Sequence, residues 1–177
     1  MGLEPTKLIW QQMQTTVFKD KPLKQVLVTH FHPDHIGMAG WLCEQYQCPL
    51  LMSALEYYAA RAYIAGGKVD WQLRKFFKSC GLGQDYLEYM GETVGFGKYV
   101  YPLPSAFNRL NVGDSLTLGG NEWQVYLAAG HSLAHVCLYS SKHKILLGGD
   151  QLLPKISPNV SVLATEPNGS PMEIWLQ

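Results

Sequence analysis

The sequence predicts an α/β fold, and the order of its apolar segments carries that prediction. The apolar run 26–28 is typical of a short buried strand, and residues 36–46 place apolar side chains at roughly helical spacing. A second apolar run follows at 49–52. A strand, a helix and another strand in succession are the pattern of an α/β sandwich.

Length, charge and cysteine usage narrow the class of protein. The 177 residues are 47% hydrophobic, which fits a single globular domain over residues 1–177. The formal net charge is zero, so we expect no nucleic-acid partner and no membrane partner. The chain has no C-x-x-C pair, no signal-peptide layout and no apolar run approaching about 18 residues. These features predict free thiols and a cytoplasmic location.

The predicted elements of the first third surround a His-rich turn. Apolar residues recur every four positions between 9 and 17, which predicts an amphipathic helix over about 4–17. Asp34 is a natural helix N-cap, so we expect a helix from about 35 to 47 and then the strand 49–52.

Residues 53–101 predict a helical insertion within the domain. Their apolar side chains suggest three short helices, with Gly66–Gly67 ending the first and Gly81 the second. Aromatic residues between 76 and 107 could form a lid over a site, pack in the core or contact a second copy. We favour core or dimer packing, because helically spaced aromatics are a common core feature.

The second half of the chain predicts two β-hairpins and a loop-rich tail. Residues 115–118 and 122–128 alternate around a Gly-Gly-Asn turn, and residues 136–139 pair with 145–147. The tail 154–171 is rich in Pro, Ser and Asn, which predicts a loop before the start of a last helix.

The most informative segment, residues 29–37, has the sequence Thr-His-Phe-His-Pro-Asp-His-Ile-Gly. Side chains two apart on a strand share a face, so His30 and His32 leave the predicted strand on the same side. Asp34 and His35 follow at once. Imidazole and carboxylate ligands suit zinc, iron or manganese, and such a cluster is costly to bury without a metal ion. The segment therefore predicts a metal site.

Two further motifs follow in chain order. Residues 130–135 have the sequence Gly-His-Ser-Leu-Ala-His, and residues 148–150 have the sequence Gly-Gly-Asp after a predicted strand. Together with His-x-His-x-Asp-His at 30–35, these motifs resemble the signature of the metallo-β-lactamase-fold hydrolases over about residues 23–153. Three motifs in the family's order are more specific than any one of them alone.

The resemblance implies an αββα sandwich with a dinuclear metal site. The implied cofactor is zinc, two ions in the complete protein, with iron or manganese as alternatives. The implied ligands come from all three motifs: His30, His32 and His131 for the first ion, Asp34 and His35 for the second, and Asp150 as the bridge.

The chemistry of such a site follows from its ligand types. Three neutral imidazoles leave an open coordination position, and a metal ion there lowers the pKa of bound water to about 7. Asp34 is the candidate catalytic residue that orients this water or accepts its proton. His135 could be a ligand, a supporting partner or a core histidine, and we favour a supporting role. His143 lies in a predicted turn beside two lysines, which favours a solvated surface residue.

Two parts of the family's pattern have no counterpart in the sequence. The family's fold begins with strands upstream of the signature, and its second metal site is completed by a further downstream His. No His follows His143. We therefore expect an incomplete domain whose N- and C-terminal parts are missing. Uncovered sheet edges would then favour a homodimer.

The predicted function is that of a metal-dependent hydrolase. It would use metal-bound hydroxide on an ester, thioester or amide of a small acyl substrate, with glyoxalase II-like thioester hydrolysis favoured over β-lactam cleavage. One alternative is a mononuclear iron oxidoreductase resembling the persulfide dioxygenases, and another is a non-catalytic interaction domain. The fold alone does not identify the substrate, because one fold hosts many chemistries.

Overall fold

The computed structural model describes residues 4–21, 23–89 and 93–177. Its helices are α1 (Glu4–Thr16), α2 (Pro33–Ile36), α3 (Ala39–Tyr46), α4 (Ala54–Ala65), α5 (Trp71–Ser79), α6 (Gln84–Tyr89) and α7 (Pro171–Trp175). Its strands are β1 (Val26–Leu27), β2 (Leu50–Met52), β3 (Gly67–Lys68), β4 (Thr93–Val94), β5 (Asn108–Arg109), β6 (Ser115–Leu118), β7 (Asn121–Ala128), β8 (His135–Ser140) and β9 (Ile145–Leu147). Among these helices, none combines the length and the apolar character needed to cross a bilayer.

Two sheets form the body of the fold. Strands β1, β2 and β5 make a parallel sheet with β2 in the middle, and β6 to β9 make an antiparallel sheet in sequence order. The short pair β3 and β4 forms a separate antiparallel ribbon. The sheets meet where the Val136 amide donates to the Thr29 carbonyl oxygen at 2.8 Å. This junction lies directly beside the His-rich segment.

Strand β2 lies between the two halves of the core. Leu50 and Met52 pack with Tyr57 of α4 in one buried cluster. Leu51 packs instead with Val125 and other residues of the antiparallel sheet. Because alternate side chains of a strand face opposite sides, β2 contributes to both a helix–sheet layer and a sheet–sheet layer. This layering confirms the predicted α/β sandwich, as do the two hairpins.

The prediction of one helix over about 35–47 is wrong in two details. It is split into α2 and α3, because the Gly37 carbonyl oxygen accepts a hydrogen bond from the Tyr101 amide at 2.8 Å. The N-cap of α2 is His32, not Asp34. Pro33 occupies the first helical position, where its fixed φ and missing N–H are tolerated. Asp34 therefore lies inside the first turn of α2.

Three helices occupy most of residues 53–101, as the sequence predicts. Helix α4 buries Tyr57 and Ala60 in the core, α5 has no buried residue and α6 buries Leu87. The interpretation of 53–101 as one insertion stays a prediction, and within it α4 belongs to the helical layer of the sandwich.

The aromatic residues of this region divide into two groups. Phe107 stacks on Tyr57 with ring centroids 4.0 Å apart, and Phe96 stacks on Tyr63 at 5.5 Å. Both rings pack against the buried cluster that contains Tyr57. Tyr89 of α6, in contrast, is 86% exposed. Core packing therefore accounts for Phe96 and Phe107.

Candidate metal centre

Three histidines from separate parts of the chain meet at the sheet junction. His30 follows β1, His32 precedes α2, and His131 lies in the loop between β7 and β8. The His30 Nε2 atom lies 2.9 Å from His32 Nδ1 and 3.2 Å from His131 Nε2. These residues form the three-histidine cluster.

The spacing of these nitrogen atoms fits a metal ion. In a tetrahedral zinc site with bonds of about 2.0–2.1 Å, ligand nitrogens lie about 3.3 Å apart. A hydrogen bond explains the spacing less well, because a neutral ring nitrogen carries either one proton or one lone pair. His30 Nε2 faces two other ring nitrogens at once, and its own Nδ1 lies 3.0 Å from Thr29 Oγ1. A shared cation satisfies all three nitrogens together.

Burial favours the neutral forms of His30 and His32, and the neutral form is the one that binds metal ions. His30 is fully buried. Burial, reinforced by the neighbouring imidazoles, lowers the pKa of His30 to about 2. Burial also lowers the pKa of His32, with a further contribution from His131. These two imidazoles can therefore bind a cation at neutral pH without first losing a proton.

A second group of ligand atoms lies beside the cluster. His35 Nε2 is 3.2 Å from Asp150 Oδ2, and both atoms lie within 4.8 Å of a ring nitrogen of His30. Asp150 Oδ2 is also 3.9 Å from His131 Nε2, as expected of a carboxylate placed between two sites. Asp34 is more peripheral: its side chain is 66% exposed, and its Oδ2 lies 3.7 Å from His35 Nε2.

The structure thus brings together five of the six predicted ligands and leaves Asp34 at the rim. His30 belongs to both groups, so the two groups are not independent. Metal ligation by the individual residues stays a prediction.

Backbone and hydroxyl groups outside the predicted set orient the rings. The Nδ1 atom of His131 lies 2.9 Å from the Asn159 carbonyl oxygen, to which an N–H there would donate. This contact favours the tautomer with the proton on Nδ1, which leaves the lone pair of Nε2 facing the cluster. Sequence reasoning missed Asn159, because any residue can offer a backbone carbonyl.

His135 and His143 lie outside both ligand groups. His135 is fully buried and stacks on His30, with ring centroids 4.8 Å apart. Its Nε2 has no hydrogen-bond partner in the part of the chain that the structure describes, and burial lowers its pKa to about 4. His143 is exposed, and its Nε2 lies 2.8 Å from Asn121 Oδ1. These positions fit the supporting role and the surface role expected from the sequence.

Sequence reasoning also missed Glu56, a fully buried carboxylate in the first turn of α4. Burial raises the pKa of Glu56, and hydrogen bonds from Ala134, Ser132 and Phe31 counteract part of that shift. An acidic residue in the first turn of a helix is common on protein surfaces, so no local pattern indicates its burial.

A cavity of about 250 Å³ opens beside His131. It is smaller than the range of about 300–1,000 Å³ that holds drug-sized ligands, so it suits a small organic group. Its apolar lining comes from Leu55, Leu133, Leu163, Pro171 and Ile174.

Comparison with known proteins gives the family. A model of the metallo-beta-lactamase superfamily matches residues 2–177. The chain is 25% identical over 160 residues to a probable metallo-hydrolase, YqjP, of Bacillus subtilis, covering 88% of this chain and 48% of that protein. It is 27% identical over 128 residues to a hydroxyacylglutathione hydrolase of Bdellovibrio bacteriovorus, covering 72% of this chain and 34% of that protein.

Solved structures agree with this match. A beta-lactamase domain protein from Burkholderia ambifaria aligns with a TM-score of 0.84 and 32% identity, over 99% of this chain and 49% of that chain. A metallo-beta-lactamase family protein from Thermus thermophilus aligns with a TM-score of 0.71 and 24% identity, over 99% of this chain and 56% of that chain.

The chain spans about half the length of the first curated relatives, 51% of a protein from Aquifex aeolicus and 48% of the protein from Bacillus subtilis. The family match nevertheless covers nearly all of this chain, including the three histidines and Asp150. The chain therefore belongs to the metallo-beta-lactamase superfamily, whose members bind metal ions and are mostly hydrolases.

Proposed function

We propose that the chain provides the metal centre of a hydrolase that cleaves a small acyl thioester or ester. The observation that carries this proposal is the three-histidine cluster, in which His30 Nε2 lies 2.9 Å and 3.2 Å from nitrogens of the other two rings. Three imidazoles, of which that of His30 is fully buried, next to a partly exposed carboxylate, Asp150, form the donor set of a catalytic metal site.

The proposed metal is zinc. His30, His32 and His131 would hold one ion, and His35 with Asp150 would contribute to a second. Zinc supplies Lewis acidity and lowers the pKa of a coordinated water to about 7.

Asp34 is the proposed group for proton handling, and His35 supports the site beside it. Asp34 lies at the solvent-exposed rim, so its carboxylate is free on one side to contact water or substrate. It would orient the attacking water or accept its proton, a contribution of about 10² to 10⁴ in rate. His35 lies between the two carboxylates, 3.7 Å from Asp34 and 3.2 Å from Asp150. This placement lets it hold Asp150 in position.

The proposed substrate is a small acyl compound. The apolar cavity beside His131 would receive the acyl group. Two relatives are named hydroxyacylglutathione hydrolase, and acylated glutathione is a thioester. The net charge of zero offers no attraction for a nucleic-acid substrate.

The test compares metals and substrates on the same preparation. The purified protein is stripped with a chelator and reloaded with zinc, iron or manganese. It is then assayed with an acyl thioester, the matching oxygen ester and a β-lactam. Thioester hydrolysis that requires the metal and is lost in His131→Ala supports the proposal.

Two results would overturn it. Oxygen consumption with iron and a persulfide, without hydrolysis, would favour the dioxygenase alternative. Metal binding without either reaction would favour the interaction domain.

A further inference from the structure

Glu56 contacts both segments that carry the three-histidine cluster, although it belongs to neither ligand group. Its side chain is fully buried at the start of α4. A carboxylate in such a place is costly unless hydrogen-bond donors surround it. The identity of those donors indicates its role.

One carboxylate oxygen of Glu56 bonds to the His30–His32 segment. Its Oε2 accepts a hydrogen bond from the Phe31 amide at 2.9 Å. Phe31 lies between His30 and His32, so this single bond fixes the backbone from which both rings project.

The other carboxylate oxygen bonds to the loop that contains His131. Glu56 Oε1 accepts hydrogen bonds from the Ser132 hydroxyl at 2.7 Å and from the Ala134 amide at 2.5 Å. Ser132 follows His131 directly. Because the acceptor is charged, these bonds are stronger than those between neutral groups. The carboxylate therefore joins two segments that lie about 100 positions apart in the chain.

Ser53 anchors the start of α4 to the same loop. Its hydroxyl donates to the Ala134 carbonyl oxygen at 2.8 Å, and its Oγ caps the Glu56 amide at 3.4 Å. Both residues are buried. The contacts of Ser53 thus help to set the position of the Glu56 carboxylate relative to the His131 loop, together with the hydrogen bonds that the carboxylate itself accepts.

We infer that Glu56 is a positioning residue for the three-histidine metal site, holding the His30–His32 segment and the His131 loop at the separation that a metal ion requires. The inference rests on the proposed function, since it needs a metal ion at that cluster. It adds a residue that belongs to neither ligand group and that acts through the Phe31 and Ala134 amides and the Ser132 hydroxyl, next to the proposed ligands.

The test substitutes Glu56→Gln and measures metal affinity. Glutamine keeps the size of the side chain but replaces one acceptor oxygen with an NH₂ donor, which would face either the Phe31 amide or the Ser132 and Ala134 donors. One of the two segments is then released. We expect zinc affinity, measured by competition titration of metal-free protein, to fall about 10 to 100-fold, as for loss of a partner that orients a ligand. The absorption spectrum of the cobalt-loaded protein should change as well.

Tyr57→Phe is the matched control. Tyr57 is the next residue of α4, is also buried, and donates a hydrogen bond at 2.6 Å to the carbonyl oxygen of Pro104, which belongs to neither histidine-bearing segment. This variant should lose stability but keep the zinc affinity and cobalt spectrum of the unsubstituted protein.

The outcomes separate this inference from the proposed function. Tight zinc binding by the unsubstituted protein and by Tyr57→Phe, with weak binding by Glu56→Gln, supports the inference. Equal affinity and equal cobalt spectra in all three proteins overturn it and leave the metal site intact. An unsubstituted protein that binds no zinc overturns both.

If Glu56→Gln does not fold, Ser132→Ala takes its place. It removes one of the three donors and leaves the two backbone amides. It should weaken zinc binding by a smaller factor, and unchanged affinity would overturn the inference.

Discussion

The Nε2 atoms of His30 and His131 lie 3.2 Å apart, although 101 positions of sequence separate the two residues. Their meeting depends on the junction of the two sheets, where the Val136 amide bonds to the Thr29 carbonyl oxygen. The same region holds the carboxylate of Glu56, which accepts hydrogen bonds from Phe31, beside His30, and from Ser132, beside His131. The histidines are therefore positioned by packed backbone.

Replacing His32 by Ala should empty the three-histidine site. Loss of a direct ligand should cost at least the roughly 100-fold in affinity that loss of an orienting partner can cost. Elemental analysis after dialysis against zinc measures the metal content. The control is His143→Ala, because His143 is an exposed histidine that contacts Asn121. Equal metal content in the two variants would contradict the assignment of His32 as a ligand.

Asp34→Asn should lower the hydrolysis rate by about 100-fold or more while the three-histidine site keeps its zinc. The reason is that Asp34 lies at the rim and in neither ligand group, so its charge serves the reaction more than metal binding. Rate and zinc content are measured on the same sample. Asp85→Asn, at another exposed aspartate, is the control and should keep both. If Asp34→Asn lost zinc and rate in proportion, Asp34 would be mainly a ligand.

Titration of the metal-free chain with zinc should show two unequal sites. His30 appears in both ligand groups, but its single Nε2 atom can serve only one ion. The second ion would then depend on His35, Asp150 and the peripheral Asp34. Because Asp150 would be shared with the first ion and Asp34 is 66% exposed, the second ion should bind more weakly, which calorimetry resolves as a second transition. Two equally tight sites would show that another residue completes the second one.

Gly149→Ala should destabilise the protein more than Gly119→Ala does. Both glycines have positive φ, +50° and +59°, so each substitution costs about 1–2 kcal/mol in left-handed strain. A Cβ at Gly149 would also lie 2.6 Å from His135 Cε1, whereas a Cβ at Gly119 would meet nothing within 4 Å. Overpacking adds about 1–3 kcal/mol.

Urea denaturation of both glycine variants measures the difference. Gly149→Ala should in addition bind zinc more weakly, because it displaces the backbone next to Asp150. Equal losses of stability would show that His135 moves aside without cost.

The metal-free protein should lose stability as the pH falls below about 6.5, the ordinary pKa of an unfolded histidine. In the folded protein, burial and nearby imidazoles hold the pKa of His135 at about 4 and that of His30 at about 2. Between these values and about 6.5 the unfolded chain binds protons that the folded chain does not. The free energy of unfolding therefore decreases as the pH decreases through this range.

Urea denaturation at about pH 7, 6 and 5 measures this dependence on metal-free protein. The variant His143→Ala, which removes an exposed histidine, should keep the same slope. A free energy of unfolding that stays constant over this range would show that the buried histidines are protonated in the folded state.

The candidate metal-binding residues and the layered fold could be predicted from patterns in the sequence. The motif that carries His30 and His32 is local in the sequence, although β1 ends at Leu27 and a bend, not a strand, brings the two rings together. The two hairpins and the order of the three motifs are also local features, so they could be predicted. The sequence did not predict the break between α2 and α3, because it depends on a hydrogen bond from Tyr101 to Gly37.

The arrangement of the candidate donor atoms depends on contacts of the folded chain. The fold placed Asp34 at the rim, turned His131 with the Asn159 carbonyl oxygen, and buried Glu56 between the two ligand-bearing segments. Each of these contacts joins residues that are distant in sequence or depends on a backbone group that every residue possesses. The types of the candidate ligands could be predicted from the sequence, whereas their positions follow from the packing of the two sheets and α4.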